Sequence, residues 1–207
     1  MATFFSTMKK SYVDVPIDAA HDNAIDTSSF LEASESLCSL FDLLGSVAFT
    51  PVKNDIMGNV KTDKNPRSLQ KIRDRQLAAP TQSENLQSLV LNELKTKKHT
   101  ATEGLVWLVR GLDFTAQALR HNTSNPKDEL SVSFRAAYGD TLKPHHSFMV
   151  KPIFSAAMSA TPYRKDFYAK VADDPAKGDE ELQVWLGALE ERVGILKGFL
   201  ARKEAKW

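Results

Sequence analysis

The sequence predicts an all-α protein, a single domain of about eight helices arranged in layers. Three observations predict it. Apolar residues recur at spacings of three and four along nearly the whole chain, and convincing strand alternation is nowhere visible. The 207 residues, 42% hydrophobic and 26% charged, are enough for one good-sized core and somewhat short for two. No internal repeat is present.

Residues 1–25 read as a partly irregular arm, and 26–207 as the domain. Thr27 and Ser28 are capping candidates for a stripe of Phe30, Leu31, Leu37, Leu40, Phe41 and Leu44 that stops at Gly45. A second helix is expected from Thr50-Pro51, with proline at its first position, through Asp55 and Asn59. Pro66 ends it, and Asn65 caps a third that carries Leu69, Ile72 and Leu77 to Pro80. Ser83 precedes Leu86, Leu89, Val90, Leu91 and Leu94. Thr102 opens TEGLVWLVRGLDFTAQALRH, apolar on most faces and therefore central. VSFRAAYGDTL follows a loop, Pro144 opens HHSFMVKPIFSAAMSA, PYRKDFYAKV is short, and DEELQVWLGALEERVGILKGFLARK closes the chain.

The bulk chemistry excludes several classes. Lys plus Arg number 27 against 26 Asp plus Glu, a net charge of +1, so nucleic-acid binding is disfavoured and little general attraction to anionic surfaces is expected. The dense basic cluster Lys95, Lys97, Lys98 and His99 reads as cations at a helix C-terminus. Cys38, the single cysteine, sits in an apolar run and reads as a buried thiol in a reducing compartment. MATFFSTMKK lacks the layout of a secretory signal, and no stretch approaches a membrane span. A cytoplasmic monomer touching membranes only at their surface is expected.

Catalytic motifs are missing: there is no HExxH, nucleophile elbow, Walker loop or dinucleotide fingerprint. His145 and His146, placed on one helix, would point about 100° apart and could not easily share a metal. Asp140 with either histidine lacks a nearby nucleophile. No enzyme activity, metal or cofactor is expected. Three features suggest a ligand instead: Trp107 in the central helix, His146 beside aromatics, and Asp55 with Asn59 one turn apart. Each has a plain alternative, as core filler, as a hydrogen-bonded core histidine, and as a wet helix face.

The segments FTPVKNDIMGNV, TEGLVWLVRGL and HHSFMVKPIFSAAMSATPYRKDF resemble, in order, three core motifs of the glycolipid transfer protein family, and are most similar to its fungal heterokaryon-incompatibility members. The resemblance implies a two-layer helical fold that takes up one glycosphingolipid without making or breaking bonds. Asp55 would bond the ceramide amide and sugar, Asn59 the sugar hydroxyls, Trp107 would stack on the first sugar ring, and His146 would serve the amide. An indole covers the C–H face of a sugar, and an Asp–His pair satisfies both ends of an amide. Apolar residues such as Phe41, Leu44, Phe114, Leu119, Phe154 and Ala157 would hold the ceramide chains.

Phe148, Lys151 and Trp207 are candidate membrane contacts. Arg110, one turn beyond Trp107, keeps an anionic headgroup open, and the rival reading is a sphingolipid sensor or adaptor, a ceramide-1-phosphate-type ligand included, that binds without efficient transfer. The ceramide-1-phosphate relatives carry a basic residue where Trp107 stands. The family pattern also places a lysine three residues after the asparagine, where this chain has Thr62. If residues 62–70 are an insertion, Lys71 takes that place, and Lys61 is the second candidate.

Overall fold

The carboxylate of Asp26 accepts the Ser29 backbone N–H at 2.7 Å and so starts α1 (Thr27–Leu43) one residue ahead of the expected caps. Asn85 does the same for α3 (Leu86–Lys95), accepting Ser88 N–H at 2.7 Å. Asp26 and Asn85 also pair in an antiparallel bridge. Two helix starts are thereby pinned side by side.

The computed structural model describes residues 2–45, 49, 50, 53 and 68–207. Asp55, Asn59, Lys61, the capping Asn65 and residues 62–67 of the expected insertion lie outside the described residues. Thr50 and Lys53 are helical, and α2 (Ser68–Ala78) follows. A 3-10 turn at Pro80–Gln82 separates α2 from α3. The later helices are α4 (Thr100–Ser124), α5 (Leu130–Asp140), α6 (Val150–Ser159), α7 (Arg164–Val171) and α8 (Pro175–Leu200). These eight α-helices among the described residues meet the expected all-α class.

α4 is the hub, packed against α2, α3, α5 and α8. It begins two residues before the expected Thr102 because its cap comes from another helix. The buried Glu93 carboxylate accepts the N–H groups of Ala101 at 2.9 Å and Thr102 at 2.7 Å, and the Thr102 hydroxyl at 2.7 Å. A negative group at the positive end of a 25-residue helix is well placed. Leu105, Leu108, Leu112, Phe114 and Leu119 are fully buried along it.

α8 begins at Pro175, with Asp174 as its cap, four residues earlier than the expected Asp179. The N-terminal arm is tied to it. Phe5 and Tyr12 rings lie 5.3 and 5.8 Å from Trp185, and the Tyr12 hydroxyl meets Ser34 Oγ at 3.0 Å. Burial pushes that phenol far above its ordinary range. The described residues include one antiparallel pair, β1 (Ile17–Asp18) with β2 (Ala24–Ile25), too short to show any alternation.

The expected helix opening at Pro144 is not continuous. Lys143–His145 form a 3-10 turn, His146 is extended (φ −86°, ψ 139°), and α6 starts only at Val150. Pro152 explains the break. In a helix running from Pro144 it would fall in the interior, at a cost of about 3 kcal/mol, whereas here it sits in the first turn of α6, where its missing N–H is harmless.

Candidate headgroup site

The break between the turn and α6 builds the site. Because His146 leaves the helical path, its ring and that of His145 converge on one indole rather than pointing apart. His146 stacks on Trp107 with centroids 6.0 Å apart and planes at 19°, and His145 meets the same ring edge-on at 6.4 Å. The Arg110 guanidinium carbon lies 4.8 Å from the Trp107 ring centroid, a cation–π contact from the next turn of α4. Trp107 is half-buried, so part of its ring faces solvent.

α5 and α6 support this cluster from below. Tyr138 Oη lies 3.2 Å from His146 Nδ1, and Phe154 packs 4.4 Å from the His146 centroid and stacks on Tyr138 at 5.4 Å. Burial chiefly, then His145, Lys151 and Arg110, hold His146 below its usual pKa, while burial raises that of Tyr138. A neutral imidazole whose Nδ1 accepts the Tyr138 hydroxyl carries its proton on Nε2. In that tautomer the ring's donor is Nε2–H. His145 is lowered as well, by burial and Arg110, and burial lowers Arg110 itself.

From Tyr138 a run of rings leads into the interior. Tyr138 to Phe114 is 6.4 Å, Phe114 to Phe134 5.6 Å, Phe134 to Phe49 5.8 Å and Phe49 to Phe41 6.0 Å between centroids. Leu44, Leu119 and Ala157, expected with these rings to form an apolar interior, are buried too. The polar cluster thus sits at the outer end of a continuous aromatic path.

Lys71 lies on α2, its side chain 15% exposed, with Nζ 3.2 Å from Glu103 Oε2. The contact is close because Gly104 lets α2 approach: a Cβ there would stand 2.9 Å from the Ser68 carbonyl oxygen and 3.1 Å from Lys71 Cβ. Gly104 is one turn before Trp107, a rise of about 4.5 Å. Lys71 therefore lies beside α4 one turn from the indole.

Phe148 is 81% exposed, with Met149 and Ile153 exposed beside it and Lys151 half-buried. Trp207 is exposed and stacks on His99 rather than packing into the core. Tyr138 joins the cluster without having been singled out in the sequence, and His145, weighed there only as a metal ligand or a partner of Asp140, joins it through Trp107. For Tyr138 a signal existed, since a tyrosine on an otherwise apolar helix face needs a partner for its hydroxyl. Among the described residues no group of three or more His, Cys, Asp or Glu side chains could hold a metal. No described helix is long and apolar enough to cross a membrane.

An all-α domain with stacked rings at its surface and an aromatic path inward belongs to the class of helical folds suited to an amphiphile, polar end outside and hydrocarbon within. A family model described as Glycolipid transfer protein (GLTP) matches residues 25–173, and the chain belongs to that family. It is 65% identical over 205 residues to a glycolipid transfer protein of Aureobasidium melanogenum, covering 99% of this chain and 96% of that one. It is 33% identical over 209 residues to pleckstrin homology domain-containing family A member 8 of Danio rerio, covering 94% of this chain but 36% of that protein.

Among solved structures, the fungal glycolipid transfer protein HET-C2 superposes with a TM-score of 0.93 at 61% identity, over 99% of this chain and 100% of the other. FAPP2, described as selecting simple glycosphingolipids with this fold, gives 0.81 at 29% identity, over 96% and 95%. Mouse ceramide-1-phosphate transfer protein shares the fold, at 0.77 and 20% identity over 89% and 91%.

Proposed function

We propose that this protein binds one glycosphingolipid and carries it between membranes as a monomer, with no chemical step. The observation that carries the reading is the Trp107–His146 stack at the outer end of the ring path. Trp107 offers a flat apolar face to the first sugar. His146 Nε2–H donates to the ceramide carbonyl, leaving the amide N–H for Asp55. Asn59 and Lys71 serve the sugar hydroxyls, with Lys61 as the substitute for Lys71. Residues 1–25 act as an arm clasped to the domain, and 62–70 as an insertion that leaves Lys71 beside α4.

The energetics favour such a carrier. Each methylene exposed to water costs about 0.8 kcal/mol, so a sixteen-carbon chain costs about 13 kcal/mol gross, and unassisted desorption is slow. The interior along Phe114, Phe134 and Phe49 is the replacement for the bilayer, opening as the chains enter. Phe148, with Met149 and Ile153, dips into the interface while Lys151 meets phosphates, giving reversible docking at the cytoplasmic surface of a membrane.

Vesicle-to-vesicle transfer of fluorescent glucosylceramide tests the reading. Robust transfer by the wild type, lost in Trp107→Ala and Asp55→Val, is expected; no transfer by the wild type would overturn it. Arg110 over the indole favours the second reading, a ceramide-1-phosphate-type ligand held without efficient transfer. That reading predicts tight binding of the phosphorylated lipid, weakened by Arg110→Leu, and negligible glucosylceramide transfer.

A further inference from the structure

The net charge of +1 averages over a local segregation. Two segments distant in sequence lie side by side. The 3-10 turn Lys203–Ala205 packs against α3 with Ala205 buried, and the Trp207 indole stacks on His99 with centroids 5.2 Å apart and planes at 13°. Together the α3–α4 turn and the chain's last described residues expose Lys95, Lys97, Lys98, Lys203 and Lys206. None of these five forms an ion pair among the described residues. The acid among them, Glu204, faces Arg202 at 3.8 Å.

The turn that carries the central lysines has a set shape. Thr96 and Lys97 donate their N–H groups to the Glu93 and Leu94 carbonyls at 2.9 and 3.0 Å, and Lys97 closes α3 in the left-handed region (φ +59°). The helix dipole accounts for a lysine at the end of α3, but not for Lys203 and Lys206, which belong to another element. Trp207, 58% exposed, places an amphipathic ring at the edge of the same patch.

Position links the patch to the proposed headgroup site. His99 immediately precedes α4, and Glu103 and Trp107 follow it at intervals of four, so Trp107 lies about 12 Å along the axis from the start of the helix. We propose that this basic, indole-edged patch is a second membrane contact, selective for bilayers with anionic headgroups, which holds the Trp107 face against the donor surface. Within a Debye length of about 8 Å, clustered lysines feel an anionic surface that the chain's net charge would not. The orientation, though not the patch itself, rests on reading the Trp107 face as lipid-facing.

Vesicle co-sedimentation tests it, using phosphatidylcholine alone and phosphatidylcholine with roughly a quarter phosphatidylserine, a composition that gives a negative surface potential. The wild type should bind the anionic vesicles about tenfold more tightly, with the difference shrinking as salt rises. Lys98→Glu with Lys203→Glu and Lys206→Glu should abolish the preference. Lys97→Gly, which suits the positive φ while removing the charge, should weaken it without loss of melting temperature. An anionic preference that survives these changes, or a wild type with none, would overturn the proposal, as would a preference for soluble RNA over anionic vesicles. Glucosylceramide transfer between neutral vesicles should be unaltered in the variants; its absence in the wild type would count against the transfer reading and leave the binding comparison intact.

Discussion

α4 carries polar and charged side chains on two faces, and they are treated in opposite ways. On the side toward α8, Asp113 pairs with Lys197 at 2.6 Å, and Arg120 grips Glu190 with two bonds of 2.8 and 2.7 Å. Those residues, with Ala116, Ala137 and Gly194, line a groove of about 540 Å³, yet their hydrogen-bonding capacity is largely spent within the chain. On the side toward His145 and His146, the contacts of Trp107 and Arg110 among the described residues are ring and cation–π contacts, and His146 meets the Tyr138 hydroxyl through Nδ1. The difference teaches where to look: a groove whose polar groups are already paired within the chain is a poorer candidate for a ligand than a half-buried indole flanked by two imidazoles.

The largest expected effect tests that contrast directly. Trp107→Ala should reduce glucosylceramide transfer on the order of a hundredfold, as for a stacking anchor at the centre of a site. The melting temperature should barely move, because the ring is only half-buried. If transfer and stability instead fell together, the two faces would not differ in kind. Gly104→Ala comes next. A methyl group 2.9 Å from the Ser68 carbonyl must push α2 away, costing about 1–3 kcal/mol of stability and moving Lys71. Sugar-dependent affinity, measured as glucosylceramide against ceramide binding, should fall about tenfold if Lys71 serves the sugar.

A smaller effect concerns pH. His146 has a lowered pKa in the folded chain, so between that value and the unfolded value near 6.5 the unfolded state binds more protons. Its neutral form contributes fully above pH 6.5, and stability declines as pH falls through that window. Glucosylceramide affinity should hold through that window and decline only as pH falls through the lowered folded value, where Nδ1 takes up a proton and can no longer accept the Tyr138 hydroxyl. Tyr138→Phe should keep the fold but shift this profile, which titration calorimetry at several pH values would show.

Much of this was legible in the sequence, for reasons that differ by element. The α1 stripe from Phe30 to Leu44 and the apolar α4 were readable because burial follows helical periodicity. The start of α4 was not, since its cap is Glu93 on α3, and a cap supplied through space leaves no local mark. The broken helix after Pro144 was misjudged although its cause, Pro152, is in plain view. Trp107 and His146 were picked out, and the structure brings them into one stack. The position of Lys71 beside α4 was not legible, because spacing alone leaves open where α2 begins.

The paired face gives the smallest expected effect and the sharpest control. Arg120→Gln or Glu190→Gln removes an ion pair whose side chains are 38% and 35% exposed, so solvent already screens much of the attraction. Losses of about 0–1 kcal/mol are expected in denaturant unfolding. Burial is incomplete, so no stranded charge adds to the cost, and Gln183 still accepts from the guanidinium if Glu190 is changed. Transfer should be unchanged. A large loss of transfer in Arg120→Gln would mean that the groove between α4, α5 and α8 takes part in lipid handling, and the division between a structural and a ligand face of α4 would have to be abandoned.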